Sequence, residues 1–568
     1  IYDSDDDNSD DENSGEDALS SRIGTTMKGK KILSGSFDPS TRTFNQNQNT
    51  FSLKVFLAPA RNKCLCCGST AGSRNIISPV SLGTSAAVKI LGEGTVEALR
   101  ASRLNENASN EKERLLVFSD SRQDAAHQAR FIKFASRYDR LRRRLIHLLE
   151  KNGVMTVQRT VEALSALARE NKDNPYVPAG SGDYLPKEIK NKINAYEEAP
   201  LLDEIAINAV YRATAVNLGL INVSYEELRE YIKAQAGDLI SKFGMDVDSF
   251  YYLCSALLDK IRILGCLNRD LLRYHPNNSY CPDYFSAAEW ERKVKNPKGL
   301  PLDENENPVG HLDSKRLPSG VKLHNPWSGT ESKGKKPIIQ KIFENILKKM
   351  SSYSPNEAAL LDVFNFLKNG YYLIVSEVFG FKAKCKMLQV NSDRVNLSIA
   401  NESERFKCRV CGIIAYNGKK DYPCPYCYGK LDIFKDEDVK SSRYVKRIKN
   451  TSLTALEVAE HTAQVSGAER ENIEDEFKSN DKKLNVLACS PTLEMGINIG
   501  GLDAIILRNI PPRPDNYAQR GGRAGRRQRI GLVLGYVRST PHDQYFYDHP
   551  EEMIAGEVVV PQIALGNK

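Results

Sequence analysis

Short apolar runs, separated by polar and glycine-rich segments, stand out near the C-terminal end of the chain. Val486–Cys489 and Ala504–Leu507 are two of them, and Leu115–Ser119 has a similar character earlier in the sequence. Val458–Val465 is more polar and is also predicted to contain a strand, which delivers His461 and Thr462 at its end. Brief continuous apolar runs are typical of strands that are buried on both faces of a parallel sheet. The pattern therefore predicts an α/β fold with one sheet built from distant parts of the chain.

Helical periodicity predicts the surrounding layers and a large region between the strands. Gly83–Leu99 has an amphipathic pattern, and a second one runs from the end of the 115–119 strand to a stop near Gly153. Residues 136–400 have mostly helical patterns, which predicts a mainly helical insertion within the α/β domain. The second pattern contains a basic cluster, and such a cluster is more often a solvated face than a binding stripe. Its members are Arg140, Arg142, Arg143 and Arg144.

Composition indicates a globular chain with several domains. The 568 residues are 40% hydrophobic and 27% charged, and the longest apolar run, Tyr371–Phe381, is too short to span a bilayer. We therefore expect no membrane partner, and the lack of a signal-peptide pattern favours a cytoplasmic location. Twelve cysteines, some of them in C-x-x-C pairs, indicate metal binding rather than a disulfide scaffold.

Charge is distributed unevenly along the chain. The net charge is +8, but the first 21 residues contain nine acidic and no basic side chains, so the remainder carries +17. Residues 1–29 are predicted to be an acidic disordered segment. A basic body is consistent with a polyanionic partner, and the alternative is that the basic charge only increases solubility. Because the sequence begins with Ile, we expect it to start inside a longer polypeptide.

Two cysteine motifs predict different metal sites. Four cysteines in two C-x-x-C pairs, separated by twelve residues, have the spacing of a zinc ribbon, which we place at residues 401–440. A closed four-thiolate site predicts structural rather than catalytic Zn²⁺. The connector at 30–103 has only one such pair, for which an incomplete or lost site is as good an interpretation as a working one. The ribbon ligands are Cys408, Cys411, Cys424 and Cys427, and the isolated pair is Cys64 and Cys67.

An arginine- and glycine-rich segment, Gln519–Arg527, is the sharpest chemical signal. Gly522 and Gly525 allow the backbone to approach a ligand closely. Arg523 and Arg526 are three residues apart, so both guanidinium groups can face one polyanion, as phosphoryl transfer requires. The alternative is the solvated basic start of a helix.

These segments resemble motifs of superfamily-two helicases. QRGGRAGR resembles motif VI, SPTLEMGINI resembles motif V, and FSDSRQDAA resembles motif IV. The resemblance implies the second RecA-like domain of such a motor, a parallel sheet with helices on both faces. It assigns Arg526 as the arginine finger, with Arg523 and Gln519 beside it at the γ-phosphate. It also places Gly496 and Asn498 near the nucleotide, although many relatives have Asp at the latter position, and it places Ser119, Arg122, His461, Thr462 and Thr492 near the nucleic acid.

The amino-acid sequences of these motifs are most similar to those of one branch of these helicases. EHTAQV, the stretch from motif V to motif VI and the ending IAGEVVVPQIALGNK resemble the zinc-bearing MrfA/YprA type and, more strongly, antiphage-defence helicases of the Druantia and DISARM kind. This implies the C-terminal part of an ATP-dependent DNA helicase or translocase that acts on single-stranded or partly duplex DNA. Other subunits of a defence system are implied as partners. In these relatives the chain continues into another domain after such an ending, so the resemblance implies that residues 546–568 are the start of a further C-terminal domain.

The expected layout has one domain in two pieces and one domain missing. The second RecA-like domain is predicted at 104–135 and 450–545. No G-x-x-x-x-G-K-[ST] loop and no Asp-Glu pair after an apolar strand occur in the sequence, so the Mg²⁺ ligands for ATP are expected elsewhere. We expect the first RecA-like domain upstream of Ile1 or on a partner chain. A non-catalytic nucleic-acid-binding or scaffold subunit with a helicase-like fold is the alternative, and RNA is an alternative substrate.

Overall fold

The computed structural model describes most of the chain from residue 83 onwards and four short strands before it. The described ranges are 2–3, 32–38, 43–45, 53–56, 83–105, 112–171, 174–178, 185–207, 214–286, 296–328, 336–427, 429–449, 456–480, 483–491, 499–525 and 531–557. Residues Cys64, Cys67, Thr492, Gly496, Asn498 and Arg526, which were singled out above, lie outside these ranges.

The helices and strands of the described ranges are numbered in chain order. The strands are β1 Tyr2–Asp3, β2 Ile32–Asp38, β3 Thr43–Asn45, β4 Leu53–Phe56, β5 Leu115–Phe118, β6 Met155–Thr156, β7 Ile221–Tyr225, β8 Lys298–Gly299, β9 Lys322–Leu323, β10 Leu373–Phe379, β11 Lys384–Val390, β12 Val395–Ile399, β13 Arg405–Cys408, β14 Ile414–Tyr416, β15 Leu431–Ile433, β16 Val458–His461, β17 Val486–Cys489, β18 Ala504–Leu507 and β19 Leu532–Gly535. The helices are α1 Thr84–Asn105, α2 Arg122–Asn152, α3 Val157–Glu170, α4 Lys187–Ile205, α5 Leu228–Gln235, α6 Gly237–Phe243, α7 Val247–Ile263, α8 Asp270–Arg273, α9 Asp283–Ser286, α10 Ile338–Met350, α11 Glu357–Asn369, α12 Asp436–Ser441, α13 Arg443–Lys449, α14 Gly467–Lys478, α15 Pro514–Gly521, α16 Pro541–Asp548 and α17 Pro550–Ile554.

The central sheet has five parallel strands in the order β16-β17-β5-β18-β19. β5 lies in the middle, with Leu115 in register with Val486 on one side and Ala504 on the other. A strand from residues 115–118 is thus paired with strands from residues 458–535. The sequence prediction of a parallel sheet interrupted by an insertion is confirmed.

Side chains of the sheet alternate between two buried faces. Val117, Ala488 and Ile506 pack on α1 and α2, whereas Phe118 and Leu507 belong to the opposite face, which packs on α14 and α15. Successive side chains of a strand point to opposite sides, so a strand covered by helices on both faces has to be apolar throughout. This explains why these strands are uninterrupted apolar runs.

α1 belongs to the helical layer of the sheet, and this differs from the predicted connector at 30–103. Val88 and Val96 are buried against the sheet, and Gly92 lies close to Leu115, Leu456 and Ile506. The amphipathic pattern predicted α1 but not the surface that it packs on, because an apolar face does not specify which surface covers it. The helix also continues six residues beyond the predicted end at Leu99.

α2 connects the two parts of the molecule as one continuous helix of 31 residues. Its first half packs Ala129 and Ile132 on the sheet, and its second half packs Leu145 and Leu149 into the insertion. It ends at Gly153, as predicted, where the backbone has a positive φ. The helix therefore belongs to two hydrophobic cores at once.

Where α2 passes from one core to the other, six charged side chains form what we call the ionic junction. Lys89 Nζ lies 2.7 Å from Asp139 and 2.9 Å from Glu93, and Arg142 Nη2 lies 2.7 Å from Glu204. Arg447 pairs with Glu93. Three cations and three carboxylates thus join α1, α2, α4 and α13, which brings the sheet, the insertion and the segment after the ribbon together.

The ionic junction corrects the prediction that the basic cluster of α2 is a solvated face. The side chain of Arg142 is 7% exposed because Glu204, 62 residues away, and the ring of Tyr444 cover it. Arg140 pairs with Glu457 at 2.5 Å. Burial of a guanidinium requires a partner, and sequence spacing cannot reveal a partner so distant.

The insertion is mainly helical, as predicted, and it also contains strands that the helical pattern did not predict. β12 lies between β6 and β7, and β10 and β11 form a seven-residue antiparallel hairpin. β8 and β9 are a two-residue parallel pair. These strands are short or amphipathic, so neighbouring helices dominate the sequence pattern around them.

The N-terminal strands form a separate antiparallel sheet in the order β1-β4-β2-β3. The pairing of Tyr2–Asp3 with β4 departs from the predicted disorder of residues 1–29 at these two positions, because backbone pairing does not require apolar side chains. Within the described ranges, every helix is too short or too polar to cross a lipid bilayer.

Candidate functional site at the rim of the parallel sheet

The carboxyl ends of the five parallel strands meet at one rim of the sheet, which is where open α/β sheets place their ligands. Three segments that were singled out from the sequence leave the sheet at this rim. The first residues beyond the strands are Ser119 after β5, Thr462 after β16, Ser490 after β17, Arg508 after β18 and Tyr536 after β19.

The loop that resembles motif IV forms the capped start of α2. Ser121 is the N-cap, and its hydroxyl accepts a hydrogen bond of 3.0 Å from the backbone N–H of Asp124. The neighbouring Asp120 does not cap the helix. Arg122 is exposed in the first turn, whereas Ser119 is fully buried. Of the two residues that the sequence placed near nucleic acid in this loop, only Arg122 is therefore exposed to solvent.

Asp120 has a different role, which the sequence did not reveal. Its carboxylate accepts a hydrogen bond of 3.0 Å from Arg520 Nη1 and a second one from the side-chain amide of Asn509. Arg520 is 2% exposed, and its guanidinium lies 5.5 Å from the ring centroid of Phe118. The carboxylate thereby ties the end of β5 to β18 and to α15. Arg520 lies inside the arginine–glycine segment, and its spacing alone does not distinguish a buried arginine from a ligand-binding one.

The arginine–glycine segment begins on α15 and continues into a tight turn. Gln519 is exposed on the helix, and Arg523 is buried just beyond its end. Gly525 has φ +80°, and its N–H donates to the carbonyl oxygen of Leu502 at 3.1 Å. A residue with a Cβ would be strained in this conformation. The turn that leads directly to Arg526 is thus fixed to the segment before β18.

β16 delivers His461 and Thr462 to its carboxyl end, as predicted, but both side chains are buried. His461 Nε2 lies 3.0 Å from a carboxylate oxygen of Glu474 on α14. Thr462 donates to Glu460 at 2.7 Å, and its oxygen accepts from the N–H of Gln464. His461 Nδ1 is buried without a hydrogen-bond partner among the described residues. Contact of these two residues with nucleic acid stays a prediction.

Arg508 supplies a further charge at the rim and pairs with Asp124 at 2.7 Å. Burial alone would raise the pKa of Asp124, but the hydrogen bond and charge of Arg508 hold that pKa below its usual value. Asp124 is therefore ionised at neutral pH, and the first turn of α2 is connected to the end of β18. Two separate carboxylates, Asp120 and Asp124, thus connect the end of β5 and the start of α2 to the end of β18.

The predicted zinc ligands meet in space. The four Sγ atoms lie within 4.8 Å of one another, with 3.4 Å between Cys408 and Cys427 and 3.7 Å between Cys411 and Cys424. A tetrahedral ion with Zn–S bonds of about 2.3 Å separates its sulfurs by roughly 3.8 Å. The thiol set and its spacing therefore fit a structural zinc ion.

The surroundings of the four thiols also fit a zinc ribbon. β13 lies between β14 and β15, and the N–H of Gly429 lies 3.3 Å from Cys427 Sγ. A Cβ at Gly429 would lie only 2.7 Å from Cys408 Sγ, so the turn needs glycine. Asn345 on α10 donates to the carbonyl oxygens of Cys424 and Cys427 at 2.6 and 2.9 Å. The ribbon is thus attached to the insertion rather than to the rim.

Residues 433–528 match the family described as Helicase conserved C-terminal domain. Among curated proteins, Druantia protein DruE of Escherichia coli (strain UMEA 4076-1) is 40% identical over 133 residues, which are 21% of this chain and 7% of that protein. ATP-dependent helicase HRQ1 of Saccharomyces cerevisiae (strain ATCC 204508 / S288c) is 37% identical over 99 residues, 17% of this chain and 9% of that protein. The uncharacterized ATP-dependent helicase YprA of Bacillus subtilis (strain 168) is 37% identical over 83 residues, 15% of this chain and 11% of that protein.

Among solved structures, the crystal structure of DUF1998 helicase MrfA bound to DNA is similar, with 25% identity, a TM-score of 0.18 and coverage of 20% of this chain and 15% of that one. The matched stretches span only about a tenth of the curated relatives. The family match and the curated relatives relate the chain to superfamily-two helicases, as the motifs predicted.

Proposed function

We propose that this chain is the C-terminal helicase portion of an ATP-dependent DNA helicase or translocase of an antiphage-defence system. It supplies the arginine finger and part of a single-stranded DNA track. The similarity to Druantia protein DruE supports the defence role, and the matching helicase family supports the motor. One observation carries the mechanism, namely that the turn leading to Arg526 is anchored between Leu502 and α15 at the sheet.

In this mechanism the first RecA-like domain, on residues before Ile1 or on a partner chain, holds ATP and Mg²⁺. Arg526 reaches the γ-phosphate, and Arg523 and Gln519 lie beside it. A guanidinium that stabilises charge in the transition state of phosphoryl transfer contributes about 10³–10⁵-fold to turnover. Gly496 and Asn498 lie near the nucleotide, where the Asn amide bonds a ribose hydroxyl without adding charge.

The DNA track in this proposal follows the same rim. Arg122 contacts the phosphate backbone at the start of α2, and Thr492 contacts it from the loop after β17. Ser119, His461 and Thr462 lie behind this surface, where burial lets them orient the strand ends that carry the contacts. The structural zinc keeps the ribbon folded and takes no part in hydrolysis.

The finger is tested with Arg526→Ala in the protein together with its first RecA-like domain. We expect DNA-stimulated ATP hydrolysis to fall at least 10³-fold, while affinity for single-stranded DNA stays within about twofold. Arg513→Ala is the matched control, because this arginine is 65% exposed at the start of the same helix. Unchanged turnover in Arg526→Ala would contradict the arginine-finger role.

The track is tested with Arg122→Ala, for which we expect weaker binding of single-stranded DNA and a salt slope reduced by about one. Arg130→Ala, an exposed arginine two turns further along α2, is the control. DNA and RNA oligonucleotides of one sequence are compared, because a stronger effect on RNA would replace the DNA assignment. Equal binding by both variants would contradict the track.

A non-catalytic scaffold subunit is the second candidate. It is favoured by one observation, the lack of a G-x-x-x-x-G-K-[ST] loop in the 568 residues. The two candidates differ in a mixing experiment with the first RecA-like domain and DNA. Hydrolysis that depends on Arg526 supports the motor, whereas DNA binding without any hydrolysis supports the scaffold.

A further inference from the structure

The two-residue strands β8 and β9 bring two lysines side by side within the insertion. Lys298 is in register with Lys322 in the parallel pairing. The N–H of Lys322 donates to Pro297 O at 2.9 Å, and the N–H of His324 donates to Gly299 O at 3.0 Å. Register partners share a face, and His324, two residues after Lys322, continues that face. Like charges directly opposite each other repel, so this arrangement requires an explanation.

A third lysine approaches from α7. Lys260 is 9% exposed, and burial lowers the pKa of its ammonium to about 8. The Lys298 side chain runs over Gly265, just after the end of α7. Burial lowers the pKa of His324 to about 4, and the charges of Lys322, Lys298 and Lys260 add to this effect. The three ammonium groups are thus close enough to act on one imidazole.

The cluster has no countercharge among the described residues. No carboxylate in that part of the chain pairs with Lys260 or Lys298. The thiol of Cys266 lies near Lys298, but burial raises the pKa of this thiol to about 12, so it supplies no negative charge at neutral pH. His324 Nε2 is buried and has no hydrogen-bond partner within the described ranges. Buried cations and polar nitrogens without partners are unfavourable, so the cluster is suited to an anion.

The position of the cluster indicates which anion can reach it. Lys322 is exposed and opens the cluster to solvent. Lys260 Nζ lies 5.4 Å from the ring centroid of Tyr426, the residue before the zinc ligand Cys427. Ammonium groups offer three N–H donors each, which suits the several oxygens of a phosphate group. The cluster therefore adjoins the zinc ribbon, far along the chain from the rim of the sheet.

We propose that Lys260, Lys298, Lys322 and His324 form a binding site for a phosphate oxyanion, and that the phosphate belongs to a nucleic-acid backbone. The oxyanion site follows from the cluster itself. The assignment to nucleic acid rests on the proposed function and on the net charge of +17 outside the acidic segment. A strand bound here contacts the insertion as well as the rim, so the insertion takes part in holding DNA.

The test uses the zinc-loaded 568-residue chain without ATP. The double variant Lys298→Met/Lys322→Met removes two charges and keeps the aliphatic stems. Lys315→Met/Lys341→Met is the matched control, because these two exposed lysines of the insertion change the net charge equally. Affinity for a labelled single-stranded oligonucleotide is measured by fluorescence anisotropy over a range of salt concentrations. Melting temperature is measured with and without inorganic phosphate.

We expect the double variant to bind the oligonucleotide about tenfold more weakly, with a salt slope reduced by one to two, and the control to stay within twofold. In phosphate-free buffer the double variant melts at the same or a higher temperature, because charge repulsion is removed. Phosphate raises the melting temperature of the wild type and not that of the double variant. This last result separates a bound anion from general electrostatics.

Two outcomes overturn the proposal. A phosphate effect that depends on the two lysines, together with unchanged DNA affinity, would replace nucleic acid by free phosphate as the ligand. Absence of both effects would eliminate the oxyanion site. Because no measurement depends on ATP, the result is independent of the Arg526 experiment, and failure of the motor proposal would leave this test unaffected.

Discussion

The rim of the parallel sheet and the oxyanion site of the insertion use cations in opposite ways. At the rim, Arg520, Arg508 and Arg538 each pair with an aspartate, at 3.0, 2.7 and 3.3 Å. In the insertion, Lys298 and Lys322 lie side by side without an acidic partner in the described residues. A paired cation is fixed in place and positions its neighbours, whereas an unpaired one can take up an anion. In the mechanism proposed above, function at the rim therefore depends on an arginine outside these pairs, Arg526.

Removal of zinc should destabilise the insertion and leave the parallel sheet intact. A chelator, or Cys424→Ala, deprives the ribbon of its ion, and structural zinc contributes on the order of 10 kcal/mol in small domains. Because Asn345 and Tyr252 attach the ribbon to the insertion, we expect the insertion to lose its cooperative melting while the sheet keeps its hydrogen-exchange protection.

Zinc content and melting temperature are measured together for this experiment. Cys385→Ala, a partly buried cysteine that is not a ligand, is the control and should keep both the ion and most of the stability. An unchanged melting curve after complete loss of zinc would contradict a structural role for the ion.

Asp139→Ala should leave the ionic junction with more cations than carboxylates, as in the lysine cluster of the insertion. It leaves Lys89 and Arg142 buried with two carboxylates in place of three, and loss of one partner of a buried ion pair costs about 3–5 kcal/mol. Urea unfolding measures the loss. The further change Lys89→Met should recover part of it, and no recovery would indicate that Asp139 acts through packing instead.

Acidification should increase the difference between the two regions, because protonation of His324 adds a positive charge to the lysine cluster of the insertion. The pKa of His324 is about 4 in the folded protein, against 6.5 for an ordinary imidazole. Between these pH values the unfolded chain binds more protons, so the free energy of unfolding falls as pH drops from 6.5 to 4, by about 3 kcal/mol. His324→Gln should remove this loss, and bound phosphate should reduce it because an anion favours the charged imidazole.

Urea unfolding at pH 7 and pH 4.5 measures this dependence. His311→Gln, at an exposed histidine of the same insertion, serves as the comparison and should leave it unchanged. If wild type and His324→Gln lose stability equally on acidification, the cluster does not surround His324 in solution.

Asp120→Asn should give the smallest effect, because it weakens only one contact of Arg520 and the Asp120 carboxylate is partly exposed. We expect a loss of about 1–2 kcal/mol after allowance for solvent screening. Faster hydrogen exchange in α15 reports the loosened helix. Asp548→Asn, at an exposed aspartate of α16, is the control, and equal exchange in both variants would show that the Asp120 pair does not position the helix.

The sequence predicted the sheet and the ribbon because both have local signals. Strands buried on two faces need apolar residues throughout, and a four-thiolate site needs fixed cysteine spacing. Asp120 and Arg520 are 400 positions apart, and Lys298 pairs with Lys322 through strands of two residues that have no apolar alternation. Neither contact has a sequence period, so only the fold could bring these side chains together.

The length of α2 has a mechanical consequence. An α-helix rises about 1.5 Å per residue, so its 31 residues form a rod of roughly 45 Å with one end at the rim and the other inside the insertion. Pivoting that rod by about 10° at the rim would sweep its far end through roughly 8 Å. In the proposed motor, a movement at the start of α2 would therefore reach the insertion along one continuous helix.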